Sequence, residues 1–514
     1  MRKLLIVLLF LFVIFCVGSF FVVRAVQQEM NELQIITADY MQVFSGSSVR
    51  VDQTAERLSR FLKKWNAYLQ ILLQNKRVFV LTQKIHPSFS YDNALFLHRA
   101  STLGLQIIEK KTMRILVLFQ NNFELRPTGG FLGSYAMVDL ERGVVRNIRV
   151  QDIYAPDGQV EGYIEAPPPV KEYLFQSGGW KLRDANWDPN FPDSAKTIAW
   201  FFEKGGYDSI DAVVAINFSL VQDVLRVLGP VELPDYHLTV DENSVYQFAQ
   251  VQAEKDFFPG ATHKSDALGA VTRAMIRKGE SLHPAQLIEL LDLVRQSMTD
   301  RTIQVWFADD ALQQYGEQYQ WSGALQPERA TCKDDTCYQD FIAFVEANVG
   351  INKADCCIDR SVSHTIFLSE DAVRHAIRFQ ITNNNPEQPM PPVHYGGRYK
   401  NYFRVYGRFV EKPKITLDGK SVFCEEFSQL TPSLSVCGVL VEVGGGKIQE
   451  ISLDWTQKRP SSDQEYAMLI RKQSGVPEYP YAVRIEKNGS WEYNQILDSD
   501  LNITDYRNNG AEKE

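Results

Sequence analysis

The stretch from Phe119 to Asp193 concentrates the side chains that could do chemistry. "FQNNFELRPTGGFLGSY", Phe119 to Tyr135, sets Glu124, Arg126, Thr128, Gly129, Gly130 and Ser134 between two apolar runs. Asp152 and Asp157 follow, and "WKLRDANWDPNFPDSA" adds Arg183, Asp184, Asn186, Asp188 and Asp193. A guanidinium is a planar fork that matches phosphate or carboxylate oxygens two at a time. A glycine pair lets backbone N–H groups approach an anion, because no Cβ stands in the way. Two carboxylates, Asp152 and Asp184, could hold a hard cation such as Mg²⁺, which takes oxygen ligands and often bridges to phosphate. These residue types predict a polar, backbone-lined anion site.

Each of these groups also has a plain structural use. Arg126 with Glu124 or Asp152 makes a buried ion pair, the glycines serve a turn, and Asp193 caps a helix. Asp184, Asn186 and Asp188 imitate the start of a calcium loop, but Pro189 stands where glycine is needed and Ala195 where the closing glutamate belongs. No Walker A loop, H-E-x-x-H, G-x-S-x-G or strand-linked G-x-G-x-x-G occurs, and none of the eight histidines falls inside the acidic set.

The elements around these residues follow from periodicity. "RILVLFQ" and "IDAVVAIN" read as buried strands, and "SYAMVDLERGVVRNIRV" as a hairpin turning at Glu141-Arg142-Gly143. Helices are expected after Asp193 and Ser219, and over Asp241 to Ala253, Asp266 to Lys278 and Pro284 to Met298, before the strand "IQVWFA". Residues 111–322 are therefore expected to form an α/β layered domain. Residues 323–360 read as a cysteine-containing connector. The period-two runs "VRHAIRFQIT", "YAMLIRKQ" and "YAVRIEKN" predict an all-β sandwich over 361–500, and residues 501–514 a polar tail. Apolar residues at three- and four-residue steps, Met30 to Phe44 and Leu58 to Leu72, with a further helix over Asn93 to Glu109, predict a helical stalk over 25–110.

The apolar run Leu4–Val23, with Met1-Arg2-Lys3 before it and Arg24 after it, is about 20 residues, the length of a membrane-crossing helix. It predicts a transmembrane anchor over 1–24, with the N-terminus cytoplasmic and the bulk outside. Of seven cysteines one lies in that run, and the remaining six favour disulfides over zinc. Cys424 with Cys437 is the expected pair, while Cys332, Cys337, Cys356 and Cys357 cross-link among themselves. The net charge of −9 argues against nucleic acid as a partner.

The motifs "LFQNNFELRPTGGFLGSY", "VQDIYAPD", "WKLRDANWDPNFPDSA" and "IDAVVAINFSLVQDVLRVLGPVELP" resemble the bacterial domain-of-unknown-function 4012 family, over roughly 110 to 490. The order of elements, with "INF" at Ile216-Asn217-Phe218 and Gly229-Pro230-Val231, is also similar to the LytR-CpsA-Psr enzymes. Those transfer glycan phosphate from polyprenyl pyrophosphate carriers to the cell wall. That resemblance implies a membrane-anchored extracytoplasmic protein that binds, and in the enzymes' manner transfers, a phosphorylated lipid-linked glycan. Arg126 matches their first phosphate-binding arginine and Asp152 the aspartate of their Arg-Asp pair, with Gln151 in the arginine's place. Their later arginine-rich helix becomes Lys264, Arg273 and Arg277. On this reading Arg126, Thr128, Gly129, Gly130, Arg183, Asn186 and Lys264 bind substrate. Asp152, Asp184 and Arg126 are catalytic, and Asp152 and Asp184 hold Mg²⁺. The competing expectation is a non-catalytic envelope protein whose α/β part is a scaffold and whose sandwich binds glycan or a cell-wall or surface protein partner.

Overall fold

A computed structural model of the chain describes residues 32, 35–36, 50–85, 89–175, 178–254, 263–279, 282–329, 337–389, 396–459, 465–487 and 489–504. It divides into two compact units: residues 1–115 with 137–149, and residues 116–136 with 150–514.

In the first unit, helices α1 (Val51–Gln74), α2 (Lys76–Ile85) and α3 (Tyr91–Glu109) pack together. Leu69, Phe79 and Ala94 form their shared apolar core. Ser90 caps α3 by accepting from the Asn93 N–H, leaving one fewer orphan donor at that end. Asn66 Nδ2 ties α1 to α3 through Ser101 Oγ at 2.9 Å and Thr102 Oγ1 at 2.7 Å. The helix expected over Met30 to Phe44 lies almost wholly outside the described residues.

The single-pass anchor, and the location built on it, must be corrected. Among the described residues no helix is long and apolar enough to cross a membrane. The run Leu4–Val23 that suggested one lies outside those residues.

Strands β1 (Thr112–Asn121), β2 (Phe131–Glu141) and β3 (Val144–Asp152) join β4 (Ala212–Asn217) and β7 (Ile303–Phe307) in a sheet ordered β3-β2-β1-β4-β7. The β2–β3 hairpin turns at Arg142-Gly143, both at positive φ. β4 and β7 run antiparallel, so the sheet is not a purely parallel stack. Helices α4 (Phe191–Lys204), α5 (Ser219–Leu228), α6 (Val245–Glu254), α7 (His263–Gly279), α8 (Pro284–Thr299) and α9 (Asp310–Gln318) accompany it. A short hairpin, β5 (Val231–Leu233) with β6 (Leu238–Val240), lies between α5 and α6. Two cap assignments change. Asn190, not Asp193, precedes α4, and Asp193 sits in the first turn, accepting from Asn190 Nδ2. Phe218 precedes α5, whose first residue is Ser219.

The strand-rich part holds two sheets. One contains β9 (Ile358–Leu368), β10 (Ala372–Asn383), β12 (Lys414–Leu417), β13 (Lys420–Val422), β16 (Lys447–Lys458), β18 (Tyr479–Glu486) and β19 (Ser490–Leu497). The other contains β8 (Tyr338–Asn348), β11 (Tyr399–Gly407), β14 (Glu426–Thr431), β15 (Leu434–Val443), β17 (Tyr466–Arg471) and β20 (Leu501–Thr504). One apolar core, including Ile342, Phe379, Phe403, Ile451 and Met468, draws on both. β8 lies inside the segment expected to be a connector. It pairs antiparallel with β11 and parallel with β17, which makes it an inner strand. Its run "FIAFVEAN" is buried on both faces, so it lacks the alternation that marks a half-exposed strand. Cys424 and Cys437 are bonded, as are Cys356 and Cys357, and Cys337 is also in a disulfide.

The interior of the strand-rich part contains a polar chain. Tyr481 Oη lies 3.1 Å from His364 Nδ1, His364 Nε2 lies 3.0 Å from His375 Nδ1, and His375 Nε2 lies 3.0 Å from Asp340 Oδ2. Tyr466 donates to the same carboxylate oxygen at 2.6 Å. Burial, then the neighbouring His375, holds His364 well below its usual range. The Asp340 carboxylate is held down to about 2, because His375 and its hydrogen bonds outweigh the opposing effect of burial. A histidine that stays neutral when folded but charges when unfolded contributes stability above its unfolded pKa, near 6.5, and loses it as pH falls. The midpoint of urea unfolding should therefore drop on going from pH 7.5 to pH 6. The slope from this residue approaches about 1.4 kcal/mol per pH unit below pH 6.5. His364→Gln should show a flatter profile over that window, and parallel profiles would contradict the assignment.

Candidate functional site

The joint after β1 is built by long-range bonds. The Leu125 side chain is buried in the core of the strand-rich part, which at ordinary transfer energies stabilises by roughly 1.5–3 kcal/mol. Its N–H donates to Asp355 Oδ2 at 3.0 Å, and its carbonyl accepts from the Asn348 N–H at 3.0 Å. The Asp355 N–H donates to the Phe123 carbonyl at 3.2 Å. The chain crossing from β1 to β2 is thus fastened to β8 and to the turn that follows it.

Arg126 completes the fastening. Its Nε donates to Asp184 Oδ1 at 2.7 Å, one terminal nitrogen to Glu124 Oε1 at 3.1 Å, and the other to the carbonyls of Asn348 at 2.7 Å and Leu125 at 3.2 Å. The guanidinium carbon stands 5.4 Å from the centre of the Phe131 ring. Arg126 is 1 % exposed and Asp184 3 %. Burial pushes the Glu124 carboxyl up, against the lowering effect of Arg126 and with a further push from Asp184. The role of phosphate clamp expected for Arg126 therefore needs correction, because its fork is engaged by two carboxylates and two carbonyls of the protein.

Thr128, Gly129, Gly130 and Asn186 also change role. Thr128 Oγ1 donates to Gln120 Oε1 at 2.6 Å, and the Thr128 carbonyl accepts from Gln120 and Gln304. Asn186 Nδ2 donates to Thr128 Oγ1 at 2.9 Å and to the Gly130 carbonyl at 2.8 Å. The Gly129 N–H closes a turn onto the Arg126 carbonyl, at φ +137°. A Cβ at Gly129 would strike Asn217 and Ser474, and one at Gly475 (φ +78°) would strike the Gly129 carbonyl. The glycines thus permit close backbone packing. None of the four residues borders the cavity described next.

Beside Arg126 lies a cavity of about 710 Å³, within the range of about 300–1,000 Å³ typical of small-molecule sites. It opens at the carboxyl ends of β1, β3 and β4, the usual place for ligands in α/β sheets. One part of its wall is charged: Glu124, Arg126, Asp152, Arg183, Asp184 and Lys353. Another part is apolar, with Ile216, Val221, Leu268, Val271 and Met275 from β4, α5 and α7. Arg183 donates to Asp157 Oδ2 at 2.6 Å and lies 5.0 Å from the Tyr154 ring centre. Asp152 Oδ1 accepts from the Tyr154 N–H at 2.9 Å.

Arg126, Asp152, Arg183 and Asp184 therefore share one wall. Lys264 lies on α7 among residues whose side chains are not described. The donor set does not suit a resident Mg²⁺. Asp184 already abuts a guanidinium, which would repel a cation placed there, and among the described residues no three His, Cys, Asp or Glu side chains group to hold a metal. Sequence reasoning missed Lys353 and the α7 wall. Lys353 is more than 200 positions from the joint, and α7 reads as an ordinary amphipathic helix.

Comparison with known proteins adds the following. No curated protein matches the chain. Among solved structures, TagV of B. subtilis is 14% identical, covering 42% of this chain and 82% of its own, with a TM-score of 0.22. Protein gbs0355 from Streptococcus agalactiae is 16% identical over 45% and 83%, at 0.26. Lin1025 from Listeria innocua is 13% identical over 42% and 80%, at 0.24. These three are LytR-CpsA-Psr proteins. TM-scores this low license no transfer of residues or activity. The family match stops short of the strand-rich part, where the sequence motifs suggest it would continue. Residues 110–253, which carry the joint, Arg183, Asp184 and Asn186 and much of the cavity wall, match the family model described as a protein of unknown function, DUF4012.

Proposed function

We propose that the cavity binds a phosphorylated lipid-linked glycan, with the lipid chain along Ile216, Val221, Leu268, Val271 and Met275 and the phosphorylated head beside Arg183 and Lys353. The observation that carries this reading is that one cavity is bordered both by charged side chains and by a set of apolar ones from β4, α5 and α7. An amphiphile satisfies both, whereas a wholly polar ligand would leave the apolar side wet and a wholly apolar one would strand the charges. Arg126 and Asp184 act as positioning residues, holding Glu124 and the Leu182–Asp184 turn in the wall. Binding is the activity the geometry supports. A transfer reaction is the second reading, favoured by Glu124, a carboxylate whose raised pKa strengthens it as a proton acceptor and which borders the cavity.

Photo-crosslinking tests the proposal. A prenyl phosphate carrying a benzophenone at its apolar end should label peptides containing residues 216–221 or 268–275, and excess unmodified prenyl phosphate should suppress the label. Labelling confined to the sandwich, or none above background, would overturn it.

A further inference from the structure

The charged wall also constrains how much negative charge the ligand can carry. Three cations, Arg126, Arg183 and Lys353, border the cavity together with three carboxylates, Glu124, Asp152 and Asp184. Arg126 is bonded to two of those carboxylates, and Asp157 stands behind Arg183 at 2.6 Å. Among the described residues the wall thus has no surplus of positive charge to offer. A phosphomonoester brings a charge of about −1.5 to −2 at pH 7. A diphosphate brings more, and a phosphodiester only one. In a partly desolvated cavity, each added negative charge without a matching cation weakens binding.

A second, independent feature concerns neutral polar groups. Asn121, Ser134, Gln250 and Thr272 also border the cavity. Ser134 is 1 % exposed, and its Oγ has no hydrogen-bond partner among the described residues. A buried hydroxyl left unbonded is costly, and a ligand hydroxyl would satisfy it. Sugars and polyols carry such hydroxyls in number.

We infer that the head of the ligand is a single phosphodiester joining the lipid chain to a sugar or polyol, and not a diphosphate. This deepens the lipid-linked glycan reading and rests on it. The phosphodiester has the lowest charge among phosphorylated heads, and its sugar supplies the hydroxyls that Ser134 and the amides can bond. Glu124 and Asp152 are then specificity-determining residues, since their carboxylates penalise the extra charge of a diphosphate.

The test uses the full chain and four probes that share one apolar tail: farnesyl phosphoglucose, farnesyl phosphate, farnesyl diphosphate and farnesol, titrated at fixed ionic strength and pH 7.5. Farnesyl phosphoglucose should bind at least about tenfold more tightly than farnesyl diphosphate. Glu124→Gln should narrow that ratio. Should that buried variant fail to fold, Asp152→Asn, at a less buried position, should narrow it too. Diphosphate binding as tight as the phosphodiester, or tighter, would overturn this inference while leaving the lipid-linked glycan reading intact. Farnesol binding as tightly as the phosphodiester would also overturn it, because the head would then contribute nothing. No binding of any probe would remove both proposals together.

Discussion

Replacing Arg126 by alanine is expected to destabilise the unit that contains it by about 3–5 kcal/mol, read from urea unfolding at pH 7.5. The guanidinium is buried between Asp184 and Glu124 and also serves the Asn348 and Leu125 carbonyls. Removing one partner of such a cluster leaves two carboxylates in a poorly solvated place with no counter-charge, and that uncompensated burial is the main cost. Arg126→Lys should recover less than half of the loss, since one compact ammonium cannot reach four acceptors set around a planar fork. The combined variant Arg126→Met, Glu124→Gln, Asp184→Asn should regain much of it, because no charge then remains to strand. A loss below about 1 kcal/mol for Arg126→Ala would show that the ion-pair network does not hold the joint.

That expectation also shows where sequence reasoning ends. The strands around Leu116, Val213 and Val305 and the helices between them were legible, because their apolar spacing is a local property. So was the strand-rich region, from period-two runs such as "VRHAIRFQIT", and the Cys424–Cys437 bond. The joint was noticed but its purpose was not. Glu124, Arg126 and Asp184 look alike in sequence whether they face a ligand or each other. What decides is the position of Asn348 and Asp355, more than 200 residues onward. No periodicity carries that information. Thr128 and Asn186 were read as ligand groups because hydroxyls and amides bond equally well to ligands and to one another. Their partners Gln120 and Gln304 come from two different strands. β8 went unrecognised for a related reason, since a strand buried on both faces has no polar beat.

Asp355 shows that the same fastening has its own electrostatic cost. Burial pushes its carboxyl up to about 6, against the lowering effect of Arg360 and of its bonds to Leu125 and Asn348. A carboxyl raised in this way contributes stability at acid pH that is lost as pH rises through its folded value. Its slope is opposite in sign to that of His364, which is why the histidine is best read between pH 7.5 and 6.

Filling the cavity should have the largest effect on binding. Met275 is half-buried on α7, packs on the edge of the core that holds Ala267, Val271 and Ala274, and borders the apolar wall, so a larger side chain there extends into the cavity. Met275→Trp is expected to weaken binding of farnesyl phosphate by at least about 100-fold, or some 2.7 kcal/mol, with little change in unfolding midpoint. Met275→Leu, close in volume, should bind within a few-fold of the parent. The account rests on the cavity being the place where an amphiphile lodges, and this comparison addresses it most directly. Titration of the parent, Met275→Leu and Met275→Trp with farnesyl phosphate should give saturable binding to the first two and none to the third in the same range. Equal affinity for all three proteins would contradict the account.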